Sequence, residues 1–309
     1  MTDYKAIHGK NVLHVSSDLG AEGEGQIWFN TTSGDFKTIV KVAGAWATGG
    51  NLNQARNSLM GAGSSRSSGV VFGGTHPPSV YDALSEEYNG TAWTEGSNIN
   101  TARYNGGGCG TINAALCTGG QNPPANVYYG INETYNGTSW TEAADLNTGR
   151  HGIRNAGTSA SAIAANGRIN PNAITLVAEQ WDGSSWTEVG DMNTSRFETA
   201  ISESGTSTAA IIFGGAAPPT SAAAETWNGS TWTEGADMNT AKKQLSGSGT
   251  STAAYAFGGY PGNTGESWDG SAWTEIAQLA TTRWTAGAFG TLSSAICAGG
   301  DSDPGNVAT

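Results

Sequence analysis

Charge is scarce in this chain. Asp, Glu, Lys and Arg make up 13% of its 309 residues, about half the usual share. Basic residues are scarcest: 14 stand against 26 acidic ones, for a net charge of −12. That field repels a phosphate backbone, and no basic cluster offsets it, so no nucleic-acid partner is expected. An anionic membrane surface is disfavoured for the same reason. No window approaches 18 uninterrupted apolar residues, so no membrane insertion is expected. No basic stretch followed by an apolar one opens the chain, which argues against a secretory signal. Cysteine is limited to Cys109, Cys117 and Cys297, an odd number and no disulfide framework. The four histidines, His8, His14, His76 and His151, are scattered, with none paired at ligand spacing. No phosphate-binding glycine loop precedes a helix. Neither a metal nor a cofactor is expected.

What the chain does have is glycine, 46 residues, and tryptophan, 11. The glycines show no period of three and proline numbers only 9, which excludes collagen. So much glycine would cost a helical bundle about 1 kcal/mol per residue. Aromatics at 9% with sparse charge argue against disorder. A turn-rich β protein with a large core remains.

A repeat organises that composition. Trp-Thr-Glu occurs at Trp93, Trp140, Trp186, Trp232 and Trp273, and Trp46 starts the same series as Trp46-Ala47-Thr48. Successive spacings are 47, 47, 46, 46 and 41 residues. A basic residue follows within ten residues of each Trp: Arg56, Arg103, Arg150, Arg196, Lys242 and Arg283. Next come a Gly or Gly-Thr turn and a short apolar run. The run ends in a glycine pair beginning at Gly73, Gly119, Gly214, Gly258 or Gly299. One copy has Asn166-Gly167 there, and Asn is the best non-glycine residue for positive φ. Last comes Glu-x-aromatic-[Asn/Asp]-Gly, as in Glu133-Thr134-Tyr135-Asn136-Gly137. Each unit reads as four short antiparallel strands, with Asn-Gly or Asp-Gly as a type I′ hairpin turn between the third and fourth. Four strands in about 45 residues is the unit of a propeller blade. Cys117 and Cys297 share a repeat position with Val71 and Ile212, so they read as buried apolar filler rather than disulfide partners.

Paired glycines, an aromatic before a turn and Trp a few residues later resemble the kelch repeat over residues 36–309. The resemblance implies an all-β, six-bladed β-propeller of four-stranded antiparallel blades, with repeats starting near residues 47, 94, 141, 187, 233 and 274. The sixth unit has Arg283, Gly290-Thr291 and Gly299-Gly300, then ends before its Glu-x-aromatic-Asn-Gly and Trp. Ile39 to Val42, Ala43-Gly44 and Trp46 supply a strand, a turn and the Trp. The N-terminal segment is therefore expected to complete the last blade and remove a free sheet edge.

Residues 1–35 lie outside the repeat. Gln26 to Asn30 and Phe36 to Val40, joined through Thr32-Ser33-Gly34, read as a short β-hairpin arm. The string from Glu24 to Lys37 is similar to segments of bacteriophage tail and fibre proteins. With the near-identical repeats, it implies a non-enzymatic virion structural protein on a tail or capsid surface. The expectation is a tail fibre or other host-facing appendage, multi-copy or homo-oligomeric. Its arm would attach to other virion proteins, and its loops would meet a host surface glycan or receptor. A capsid decoration or head-fibre protein, and a cellular kelch-like lectin or adaptor, are the alternatives.

All nine prolines follow a glycine pair or its Asn-Gly counterpart, in the loop between the second and third strands. That loop shortens from 11 or 12 residues in the early blades to 6 in the fifth. A fixed scaffold carrying variable, stiffened loops is how binding surfaces are built. The candidate ligand contacts there are His76, Tyr81, Asn122, Tyr128, Tyr129, Asn172 and Tyr260. No catalytic residue is assigned. The basic column and the two Glu columns (Glu86, Glu133, Glu179, Glu225, Glu266 and Glu95, Glu142, Glu188, Glu234, Glu275) recur in every blade. Catalysis needs one asymmetric constellation, so these read as structural bridges, and the repeated Trp as blade packing. Asn89-Gly90-Thr91 and its counterparts match a glycosylation acceptor, but Asp182 and Asp269 occupy the same position, so turn geometry is the requirement. Ser267 to Trp273 lacks one residue of the sialidase-type Asp box, and the ligand set of kelch-like copper oxidases has no match.

Overall fold

The structure, a computed structural model, describes residues 13–15, 27–31, 35–38, 46–78, 80–122, 127–169, 173–217, 219–302 and 305–306. Two compact units result, Met1–Ala45 and Trp46–Thr309. In the first, Ile27–Asn30 pairs antiparallel with Asp35–Thr38, which realises the expected hairpin, and Leu13–Val15 adds a parallel third strand.

The second unit is a β-propeller. Blade one consists of Met60–Ser65, Ser68–Phe72, Ser85–Tyr88 and Trp93–Glu95, each strand paired antiparallel with the next. Four more blades repeat this order over residues 107–143, 154–188, 200–234 and 246–276. Among the described residues there are thus five four-stranded blades, which corrects the expected six. Among the described residues, the sixth station of the ring has the hairpin Gly287–Thr291 with Ser294–Ala298 and no third or fourth strand. The strand expected over Ile39 to Val42, with its turn at Ala43-Gly44, lies outside the described residues. Trp46 does occupy the expected Trp position, its ring 4.8 Å from that of Phe257.

The core is divided into wedges between neighbouring stations rather than concentrated at the axis. Blades three and four share Ile163, Ile201, Ile212, Trp227 and Trp232, and blades four and five share Ile211, Phe213, Leu245, Trp268 and Trp273. The repeated Trp closes each blade against its predecessor. Phe72 meets Trp140 edge-on at 4.7 Å, and Phe213 meets Trp273 in the same way at 4.8 Å. Such contacts add about 0.5–1.5 kcal/mol each beyond area burial. Nearer the axis, adjacent innermost strands leave no room for side chains. A Cβ on Gly108 would lie 2.4 Å from the Gly61 carbonyl oxygen, and one on Gly61 would lie 2.8 Å from that of Ala288. Much of the glycine excess is this crowding, and the second contact shows the sixth station seated against blade one.

Two turns differ from expectation. Between third and fourth strands only the glycine has positive φ, as at Gly90 (96°) and Gly137 (87°). The connection is a four-residue loop rather than a type I′ turn, because the side chain at its first position caps it. Asn89 Oδ1 accepts from Thr91 N at 2.9 Å and Ala92 N at 3.0 Å, and Asp182 Oδ1 does the same for Ser184 and Ser185 at 2.8 Å. Asp serves as well as Asn here because only an acceptor is needed. The second difference is in blade four. Gly107 pairs with Thr118 in blade two, but Ala200 pairs with Phe213, so blade four carries two extra residues in its innermost hairpin. Its first strand stops at Ile201, and Glu203 and Ser204 enter the axial region.

Candidate functional site

The loops between fourth and first strands and those between second and third strands share one face of the propeller. A buried clamp holds them. Arg56 donates to Glu86 at 2.8 Å and Arg196 to Glu225 at 2.9 Å; Arg103 and Arg150 pair with Glu133 and Glu179 in the same way. The carboxylate also accepts from the loop that carries the arginine. Asn100 N and Nδ2 reach Glu133 Oε2 at 2.7 and 2.8 Å, and Asn100 Nδ2 reaches the Trp140 carbonyl at 3.3 Å. The basic column and the first Glu column therefore bridge one another in blades one to four. The second Glu column is exposed and makes no ion pair among the described residues. Lys242 departs from the pattern: its Nζ donates to the carbonyls of Thr264 and Gly258. Burial lowers the Arg150 and Arg196 pKa values, while the facing glutamates oppose that shift. All three cysteines are free; burial pushes Cys117 up to about 12 and Cys297 to about 11, so they are inert thiols.

The residues just after each basic residue build the mouth of the axis. Two positions on, the backbone is left-handed at every station: Ser58 (55°), Asn105 (54°), Gly152 (66°), Glu198 (54°), Gln244 (56°) and Thr285 (55°). Main-chain hydrogen bonds link them around the axis. Ser58 N donates to Thr285 O at 2.8 Å, Asn105 N to Ser58 O at 3.1 Å and Gly152 N to Asn105 O at 2.6 Å; Gln244 N donates to Glu198 O at 2.8 Å and Thr285 N to Gln244 O at 2.9 Å. Five of the six are not glycine, and one is β-branched, so the ring stores strain of about 1–3 kcal/mol per residue.

One position on, the residues vary: Asn57, Tyr104, His151, Phe197, Lys243 and Trp284. Each forms an antiparallel bridge with the residue after its glycine pair, namely Thr75, Gln121, Arg168, Ala216, Tyr260 and Asp301. Tyr81 and Tyr128, which pair with Thr75 and Gln121, carry ring contacts to the first of these columns in the next unit. Tyr81 stacks on Tyr104 at 5.3 Å, Tyr104 lies within electrostatic reach of Tyr128, and Tyr128 lies 4.3 Å from the His151 ring. Arg168 then sits 3.7 Å over Phe197. Burial, then the charge of Arg168, lowers His151 to about 4, so its imidazole is neutral at pH 7.

Of the residues selected from sequence, Tyr81 and Tyr128 fall in this strip. His76 is tied to Asp82 at 2.7 Å, and Asn122 Nδ2 donates to the Ala102 carbonyl at 2.9 Å, so both hold their loops. Tyr129 is half-buried, its carbonyl accepting from Arg150 N at 3.1 Å. Tyr260, 54% exposed, lies apart with Trp284 at 6.1 Å and Lys243 at 6.0 Å. Asn172 lies outside the described residues. Sequence reading passed over Tyr104, His151, Arg168 and Phe197. Their signal was variability: they change in every unit, beside columns that hardly change.

At the axis, a cavity of about 10 Å³ is lined by Arg154, Glu203, Ser246 and backbone of the innermost strands. That volume suits roughly one water molecule. Arg154 Nε donates to the Thr199 carbonyl at 2.8 Å, Ser204 Oγ donates to the Gly290 carbonyl at 2.8 Å, and Glu203 Oε2 has no partner. Burial raises the Glu203 pKa well above the usual carboxylate range, with the charge of Arg154 opposing. Among the described residues, no three His, Cys, Asp or Glu gather as a metal site, and no helix is long and apolar enough to cross a membrane.

The unit Trp46–Thr309 is a β-propeller. No family model matches the chain, and no curated protein matches it in sequence. Among solved structures it is similar to one titled "Structure of YjhT", with a TM-score of 0.70 and 12% identity over 84% of this chain and 95% of that one. At that identity the likeness is one of fold. No relation to bacteriophage proteins emerges from these comparisons.

Proposed function

We propose that this protein is a non-enzymatic binding module, a host-facing appendage of a bacteriophage particle whose loop face holds a surface saccharide. The observation that carries the binding role is the strip Tyr81, Tyr104, Tyr128 and His151, four flat rings in sequence at the mouth of a rigid ring. The three tyrosine rings, part buried and part open, offer apolar faces for sugar C–H groups with little side-chain entropy to lose. Strained backbone gathers at the same mouth, as it does at ligand-binding sites in general. Glycoside cleavage needs two carboxylates free to work on one bond. Here Asp82 is engaged by His76, and Glu198 accepts from Gln244 Nε2 at 3.2 Å. The phage assignment rests on the string from Glu24 to Lys37, and the Met1–Ala45 unit that contains it is the attachment point in this reading.

Mass spectrometry of purified particles tests the setting. The chain should copurify with tail proteins. Copurification with capsid proteins would move it to a head fibre or decoration, and absence from particles would leave a cellular lectin or adaptor. A glycan array tests the binding role, which a uniformly blank array would overturn.

A further inference from the structure

We propose that the saccharide held by the loop face is acidic, and that Arg168 takes its carboxylate. This deepens the reading above and rests on it. The position of Arg168 is occupied by Thr75, Gln121, Ala216, Tyr260 and Asp301 in the other units, so a cation there is peculiar to blade three and no part of the scaffold. Its side chain makes no hydrogen bond or ion pair with any described residue, and its Nε is buried without a partner. In a chain with 26 acidic residues, an arginine that meets none of the described ones has a guanidinium able to take an anion from outside. Glu198, the next residue after Phe197, accepts instead from Gln244 and acts on Arg154.

The geometry matches a carboxylate. The guanidinium carbon sits 3.7 Å over the centroid of Phe197, a ring that is 7% exposed. A guanidinium packed on a ring is fixed in orientation and offers its N–H fork edgewise, the approach that a planar carboxylate takes with two parallel hydrogen bonds. Beside it, His151 is 7% exposed and neither ring nitrogen has a partner. A neutral imidazole provides one donor and one acceptor, which suits a sugar hydroxyl. Tyr128, 4.3 Å from that imidazole, continues the surface on which a sugar ring can lie. Arginine fork, imidazole and phenol ring follow one another in the order of carboxylate, hydroxyl and apolar ring face.

The test presents the full chain to an array of oligosaccharides with and without a uronic acid residue, plus sulfated counterparts, followed by calorimetric titration of the best pair. Uronic-acid glycans should bind at least ten-fold more tightly than their neutral counterparts, and the preference should shrink as salt rises from 0.05 to 0.5 M. Arg168→Gln should abolish the preference, and Arg168→Lys should retain only part of it. Equal binding of acidic and neutral glycans, or a preference that survives Arg168→Gln, overturns this proposal and leaves the saccharide reading standing. Selective binding of sulfated glycans overturns the carboxylate assignment. Binding of no glycan overturns both. Should Arg168→Gln fail to fold, the acidic-to-neutral ratio and its salt dependence in the unaltered protein decide alone.

Discussion

Two sets of residues lie side by side in each unit and behave in opposite ways. The basic column and its glutamate are nearly invariant, buried, and bonded to each other and to the loop backbone. The next residue along, from Asn57 to Trp284, differs in every unit and touches the neighbouring loop. Chemistry that recurs around the ring is holding the ring together. Chemistry that occurs once is available for recognition. A buried ion pair is not in itself a large source of stability. Its use here is positional: one carboxylate gathers the loop amides and the arginine, so the mouth residues start from a fixed backbone.

Breaking the invariant set should produce the largest effect. Arg103→Ala leaves the buried Glu133 carboxylate without its cation and should cost about 3–5 kcal/mol. Denaturant unfolding measures this, and a loss below about 1 kcal/mol would mean that the column does not hold the blade. The natural exception sharpens the same comparison. Lys242 donates to carbonyls where four arginines reach a glutamate. Lys242→Arg should stabilise by about 1 kcal/mol, the gain of a better-formed bridge, and a drop in melting temperature would show that blade five has adapted to the smaller head group.

The axis gives a smaller effect, and one that depends on pH. Glu203 has a raised folded pKa, so the folded state holds a proton that the unfolded chain releases above about 4.3. Stability contributed by that proton is complete at low pH and is lost as pH rises towards the folded value. Glu203→Gln keeps the shape without the ionisation. It should raise the melting temperature more at pH 8 than at pH 4, and an equal shift at both would deny the raised pKa.

The repeat made much of this legible. The Trp, basic and Glu-x-aromatic columns predict six blades, of which five are four-stranded among the described residues, and Asn166 takes the positive φ expected of it, at 63°. The same register gives Trp46 the Trp position of the last unit, and its ring lies against Phe257 there. Other features were written in spacing alone. The interval from basic residue to glycine pair is two residues longer in blade four than in blade two, which is the insertion that brings Glu203 to the axis. The left-handed ring was not legible, because Ser58, Glu198, Gln244 and Thr285 have no preference for positive φ. Packing and the circumferential hydrogen bonds impose it. Within the site, exposed-looking loop residues drew attention, yet His76 and Asn122 proved to be tied into their loops. A single side chain's role depends on neighbours brought together only by the ring.

The most direct test of the division between scaffold and mouth combines two readings on the same variants. Tyr104→Ala and Tyr128→Ala are assayed together on the glycan array and by thermal melting. Glycan binding should fall to background in both, with each stability loss within about 1 kcal/mol. Undiminished binding in both variants would contradict the assignment of the aromatic strip as the recognition surface.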